Sequence, residues 1–163
     1  MITLHQLRPD QLSRLAGLRP GPDQGDFVST GAEMIRDATP ALTFHEIRDT
    51  DGRAVGMFKL DPLYWQRHDF ATPRHIGLRG LLIDGPLQGL GYGSAALAAL
   101  AGHVRRTNPD REALVLTVNL RNSAAYKTYL RNRLKDRGQV FTGGTHGPQH
   151  VLWLDLRPGI AET

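Results

Sequence analysis

The apolar run His75–Asp84 (HIGLRGLLID) leads into Gln88-Gly89-Leu90-Gly91-Tyr92-Gly93-Ser94. An amphipathic stretch follows up to Arg106, with Leu97, Leu100, Ala101 and Val104 on one helical face. Asn108-Pro109-Asp110 stops that helix, and Ala113–Val118 (ALVLTV) is the near-continuous apolar run of a strand buried on both faces. Strand, glycine loop, helix and strand in this order predict a parallel βαβ unit. The chain is therefore expected to be α/β, with chemistry at the loop where strand turns into helix.

Glycine and proline divide the rest of the chain. Residues 2 to 7 alternate apolar and polar as a half-buried strand does, and Arg8-Pro9-Asp10 opens a short helical segment carrying Leu12, Leu15 and Leu18. Gly21-Pro22-Asp23 ends it, and a second helix is expected from about Gln24 to Asp37. LTFHEIR and RAVGMFKL flank Asp49-Thr50-Asp51-Gly52, whose Asp-Gly step supplies the positive φ of a hairpin turn. Asp61 to Pro73 reads as a mixed loop, Asn122-Ser123 as the cap of a helix to about Asn132, and GQVFTGG and HVLWLDL as two closing strands. The expectation is an α/β fold (α+β in some schemes) of about seven strands and about four helices, in one domain spanning residues 1–163.

Composition narrows the chemistry. There is no cysteine, which excludes disulfides, Cys-ligated zinc, iron–sulfur clusters and thiol nucleophiles together. The formal charge of +4 favours an anionic partner: nucleic acid, a membrane surface or a phosphorylated small molecule. MITLHQLRPDQLSRL has no cationic segment followed by an apolar run, and no stretch approaches the roughly 20 apolar residues of a membrane span. A cytoplasmic location without membrane association is expected. His146 and His150 stand four apart, but Gly147-Pro148 between them prevents a regular helical face, and no metal site is expected.

Three readings of the glycine loop compete. Gly91 to Ala96 fits G-x-G-x-x-A of a dinucleotide fold, yet the next strand ends in Thr117-Val118-Asn119 and not in an acidic ribose ligand. No Lys-Ser or Lys-Thr follows the glycines, which removes a Walker A loop. Read as Q-x-x-G-x-G, with Leu82-Ile83 before it and Asn122-x-x-Ala125-x-x-x-Tyr129 after the second strand, the chain resembles the GNAT N-acetyltransferase superfamily. The element order fits that family over essentially the whole length. A small basic nucleic-acid-binding domain is the non-enzymatic alternative, drawing on Arg105, Arg106, Arg121, Lys127, Arg131, Arg133, Lys135 and Arg137, but no reader motif accompanies these charges.

The resemblance implies acetyl transfer from acetyl-CoA to a primary amine by direct attack, in a ternary complex that needs no nucleic acid and no membrane. It also suggests a homodimer, by family habit. Backbone amides of Gly89, Leu90, Gly91, Tyr92, Gly93 and Ser94, with Gln88 opening the motif, would cradle the CoA pyrophosphate at the helix start. Leu81, Leu82 and Ile83 would pair with the pantetheine arm, one of their N–H groups facing the oxyanion. Asn122 corresponds to the family's cofactor-side asparagine, Asn119 is a weaker candidate, and Tyr129 corresponds to the tyrosine that protonates the departing thiolate. The bland readings are a tight turn for the glycines, a cap for Asn122 and a hydrogen-bonded core phenol for Tyr129. Tyr126 is assigned to packing.

Two departures from the family pattern stand out. Arg133 and Leu134 replace the usual Gly-Phe after the tyrosine, so Asn132 is expected to take the left-handed conformation that closes the helix. Gly77 stands where some members carry a glutamate base. The base is left among His75, Asp84, His68, Glu33 or a water. Tyr64, Trp65 and His68 could line an acceptor site or cover the sheet.

Overall fold

The computed structural model describes residues 1–25 and 27–157. Its strands are β1 (Thr3–Leu7), β2 (Thr43–Arg48), β3 (Ala54–Asp61), β4 (His75–Ile83), β5 (Ala113–Asn119), β6 (Lys135–Phe141) and β7 (Gln149–Asp155). Its α-helices are α1 (Gly31–Arg36), α2 (Tyr92–Thr107) and α3 (Ser123–Arg131), with a 3-10 helix at Pro9–Leu15. The strands form one mixed sheet in the order β1-β2-β3-β4-β5-β7-β6, with β4 and β5 parallel. The expected seven-stranded sheet with a central βαβ unit is thus observed. The contacts group into two compact units, Met1–Asp61 with Leu78–Leu100 and Pro62–Gly77 with Ala101–Thr163.

In the first unit β1, β2 and β3 are antiparallel, and Gly52 at φ +82° closes the β2–β3 hairpin while Asp49 accepts the amides of Asp51 and Arg53. Leu7, Leu15, Leu18, Met34, Phe44, Met57 and Leu82 form the core, placing the 3-10 helix and α1 on one face of these strands. Glu46, fully buried on β2, holds Arg14 of the 3-10 helix at 2.7 Å and Arg48 at 2.5 Å. Removing that carboxylate would leave two partly exposed arginines without their shared partner.

The second helix is shorter than its expected 24–37 span. The Phe27 and Val28 amides turn back to the Gln24 carbonyl, and α1 starts at Gly31 behind a capping box in which Thr30 Oγ1 accepts the Glu33 amide and Glu33 Oε1 accepts the Thr30 amide, each at 3.1 Å. Gly31 is required by contact, since a Cβ there would lie 1.9 Å from the Leu15 carbonyl oxygen.

In the second unit the β4–β5 ladder comprises His75↔Ala113, Ile76↔Leu114 and Gly77↔Val115, leaving Leu78–Ile83 outside it. β5 pairs along its length with β7, and β6 begins at Lys135, earlier than the expected Gly138, and carries a register shift between Asp136 and Val140. Helix α3 closes differently from expectation. Asn132 has φ −106°, and the left-handed residue is Arg133 at φ +74°. The Leu134 amide reaches the Tyr129 carbonyl and the Arg133 amide reaches the Leu130 carbonyl, a Schellman closure with Leu134 buried beneath it. Asn132 serves as the C-cap, its Nδ2 donating to the Thr128 carbonyl at 2.8 Å.

Candidate functional site

The glycine loop lies in the first unit. Gly89 has φ +80° and Gly91 φ +87°, and no atom lies within 4 Å of the place a Cβ would take on either. Gly93 is different: it sits inside α2 with ordinary φ, and its Cβ position is 3.7 Å from Ile83 Cγ1, where a larger side chain would press on the end of β4. Leu90 is 65% exposed. The first bond of α2 runs from the Ala95 amide to the Gly91 carbonyl, so the amides of Tyr92 and Gly93 precede the intrahelical ladder. Two left-handed glycines, open space beside them and a 16-residue helix dipole make an exposed backbone surface with N–H groups and positive partial charge. That surface suits a phosphate.

Gln88 contributes inward rather than outward. Its Nε2 donates to the Ile83 carbonyl at 3.0 Å and to Gln24 Oε1 at 2.5 Å, fastening the loop to the end of β4. Beside it the Gly85 amide donates to the Arg19 carbonyl at 2.8 Å and the Arg19 amide to Asp84 Oδ1 at 3.1 Å. The side chain of Leu82 is buried in the core, whereas Leu81 and Ile83 are half-buried. Gly56 allows the Leu82 carbonyl to come within 2.6 Å of its Cβ position. Gly80, in the middle of β4, is left-handed at φ +62°.

Asn119, Asn122 and Tyr129 belong to the second unit. The amide of Asn119 is fully engaged, donating to the His146 carbonyl at 2.7 Å and accepting from Arg121 at 2.9 Å, so it organises the turn after β5. Asn122 caps α3, its Oδ1 accepting the Ala125 amide at 3.4 Å. Tyr129 is half-buried, and its hydroxyl donates to no described residue, unlike a hydrogen-bonded core phenol. Burial pushes it up to about 12, which keeps the phenol protonated throughout the neutral range. Tyr126, assigned to packing, also donates 2.7 Å to Asp136 and stacks on His150 at 4.0 Å.

The four candidate bases all have structural work. Glu33 closes the capping box, whose Thr30 backbone hydrogen bond holds its carboxyl below the usual range. Asp84 accepts the Arg19 amide. His68 stacks on Tyr64 at 3.7 Å with Nδ1 3.0 Å from the Tyr64 carbonyl. His75 accepts the Thr72 amide on Nδ1 and sits edge-on to Trp153, and burial, then Arg137, lower its basicity. Gly77 cannot carry a side chain at all, because a Cβ there would meet Tyr64 Cδ2 at 2.1 Å. Tyr64 and His68 cover the sheet together with Phe70, Phe141 and Trp153.

Comparison with known proteins follows the same line. A family model described as the Acetyltransferase (GNAT) family matches residues 9–133. No curated protein sequence matches the chain. Among solved structures, AAC(6')-Ib determined with acetyl-CoA is 17% identical, with a TM-score of 0.73 over 94% of this chain and 93% of that one. A chimera of the Vibrio cholerae spermidine N-acetyltransferase SpeG and hSSAT is 13% identical, with a TM-score of 0.68 over 95% of each chain. At these identities the likeness is one of fold.

Proposed function

Because the chain belongs to the GNAT acetyltransferase family, we propose that it transfers the acetyl group of acetyl-CoA to an amine, with the Gln88–Ser94 loop holding the CoA pyrophosphate. The observation that carries this reading is the pair of left-handed glycines, Gly89 and Gly91, open to solvent at the start of α2. Side chains there would fill the space an anion needs to reach the amides.

Acetyl-CoA, when bound, supplies an acyl group activated as a thioester. The chain's own residues do the rest. The backbone of Leu81–Ile83 would hydrogen-bond the extended arm as an added strand does, and an N–H of this segment would stabilise the negative charge that develops on the acyl oxygen. The acceptor amine forms the new C–N bond as the C–S bond breaks. As the resemblance implies, Tyr129 would give its phenolic proton to the departing thiolate, and a base or water would take the proton released by the amine. His68, His75, Asp84 and Glu33 each make a structural contact through one atom, and a water relay to one of them would serve as well. Gln88 positions the loop through Ile83 and Gln24, and Asn122 sets the start of the helix that bears Tyr129.

Ligand-dependent melting tests the reading. Acetyl-CoA at about 100 times its Kd stabilises a native state by about 2.7 kcal/mol and raises Tm, whereas NAD(P)H and short DNA leave it unchanged. An unchanged Tm with every CoA ester would sink it. Release of CoA thiol with a panel of amines then identifies the acceptor.

A further inference from the structure

Lys59 on β3 is a half-buried cation that nothing described so far uses. Its register partner on β2 is Phe44, and Phe44, Met57 and Met34 place this face of β3 toward α1 and the 3-10 helix. The lysine stem crosses to β4. A Cβ built on Gly80 would lie 2.8 Å from Lys59 Cε, 3.6 Å from its Nζ and 2.5 Å from Met34 Sδ. The ammonium therefore stands over the left-handed residue that immediately precedes Leu81–Ile83.

Its surroundings give the charge two carboxylates at a distance and no direct partner. Three charged groups act on Lys59: Arg79, Asp37 and Asp61. Asp61 carries Arg79 at 3.3 Å and Asp37 carries Arg36 at 3.6 Å. Among the described residues Lys59 has neither a hydrogen bond nor an ion pair of its own. Burial, then Arg79, make this ammonium easier to deprotonate than a free lysine, and Asp37 and Asp61 offset part of that. A ligand anion would relieve that cost.

We propose that Lys59 binds an acidic group of the acceptor, so that the amine acetylated here also carries a carboxylate, phosphinate or phosphonate. The inference rests on the acetyltransferase reading: an amine brought to the acyl centre beside Leu81 has its other substituents within reach of the residue over Gly80. A polycationic acceptor would instead meet an ammonium without a direct partner there, a like-charge contact that selects against it.

The test uses the full chain with acetyl-CoA and matched amines: glycine against glycinamide, 4-aminobutyrate against 1,4-diaminobutane, and spermidine. The acidic member of each pair is expected to have kcat/KM higher by about tenfold or more. Lys59→Met removes the preference by raising KM for the acid, leaves the neutral amine within about twofold and leaves the acetyl-CoA melting shift intact, while Lys59→Arg keeps the preference. Equal or better use of the neutral or polycationic amines by the wild type, or an unchanged preference in Lys59→Met, overturns the proposal. Those outcomes leave the acetyltransferase reading standing, because the melting shift with acetyl-CoA is scored separately. Absence of that shift in the wild type removes both.

Discussion

The ring of Tyr64 occupies the place where a side chain on Gly77 would begin, with Cδ2, Cγ and Cβ at 2.1, 2.4 and 2.8 Å from the Cβ position. One tyrosine has thus displaced the mid-strand side chain of β4 and become part of the aromatic cover over β5 and β7. Gly77→Ala must shift Tyr64 in that cover, because the new methyl group would overlap its Cβ and Cγ as well as the ring edge. The expected loss is about 2–3 kcal/mol, read as a lower urea midpoint at constant m. A loss under about 0.5 kcal/mol would show the ring to be movable.

Helix α3 closes with Arg133 at φ +74°, a conformation that costs a non-glycine residue about 1 kcal/mol. Arg133→Gly keeps the two Schellman hydrogen bonds and the buried Leu134 and removes that strain. Thermal unfolding is expected to show stabilisation of about 0.5–1 kcal/mol, tempered by the contacts the arginine side chain gives up. A destabilised variant would mean that those contacts outweigh the backbone strain.

The parts of this fold legible in the sequence are those set by local pattern. The β2–β3 hairpin followed from Asp51-Gly52, and the strand, loop, helix and strand from β4 to β5 followed from period and glycine placement. The start of α1 is also written locally, in the capping box of Thr30-x-x-Glu33, which sets it later than the expected Gln24. Arg133 in place of Asn132 was not legible, since residue preference favours Asn and the geometry of the six-residue closure decides otherwise. Tyr64 on Gly77, and Lys59 over Gly80, depend on elements brought together by the sheet, which no local pattern encodes. For the glycine loop the sequence indicated the role of backbone; the inward turn of Gln88 emerged only in three dimensions.

At the loop, strain and charge can be separated. Gly91→Ala meets no atom, so its cost is the left-handed conformation alone, about 1 kcal/mol of stability. Gly91→Glu adds a carboxylate where the phosphate is proposed to sit, and it is expected to abolish the acetyl-CoA melting shift in a protein as stable as the alanine variant. Retention of the full shift by Gly91→Glu would place the pyrophosphate elsewhere.

Tyr129 gives the sharpest mechanistic test, because its acidity and its proposed role make linked demands. The proton is held by burial, with the folded value near 12 and the unfolded one near 10, so the native state binds more protons in that window. The stability this supplies is complete below pH 10 and declines as pH rises toward 12. Wild type should therefore lose stability relative to Tyr129→Phe over that interval and not below it, as denaturant midpoints at matched pH would reveal. The same retention means that ionisation of Tyr129 contributes no falling limb to kcat at neutral or mildly alkaline pH. With only the hydroxyl removed, Tyr129→Phe is expected to lower kcat by about 10²-fold while KM for acetyl-CoA stays within a few-fold, the split expected of a proton delivered only as the C–S bond breaks. An unchanged kcat under single-turnover conditions would remove the acid role and leave the residue as packing for α3.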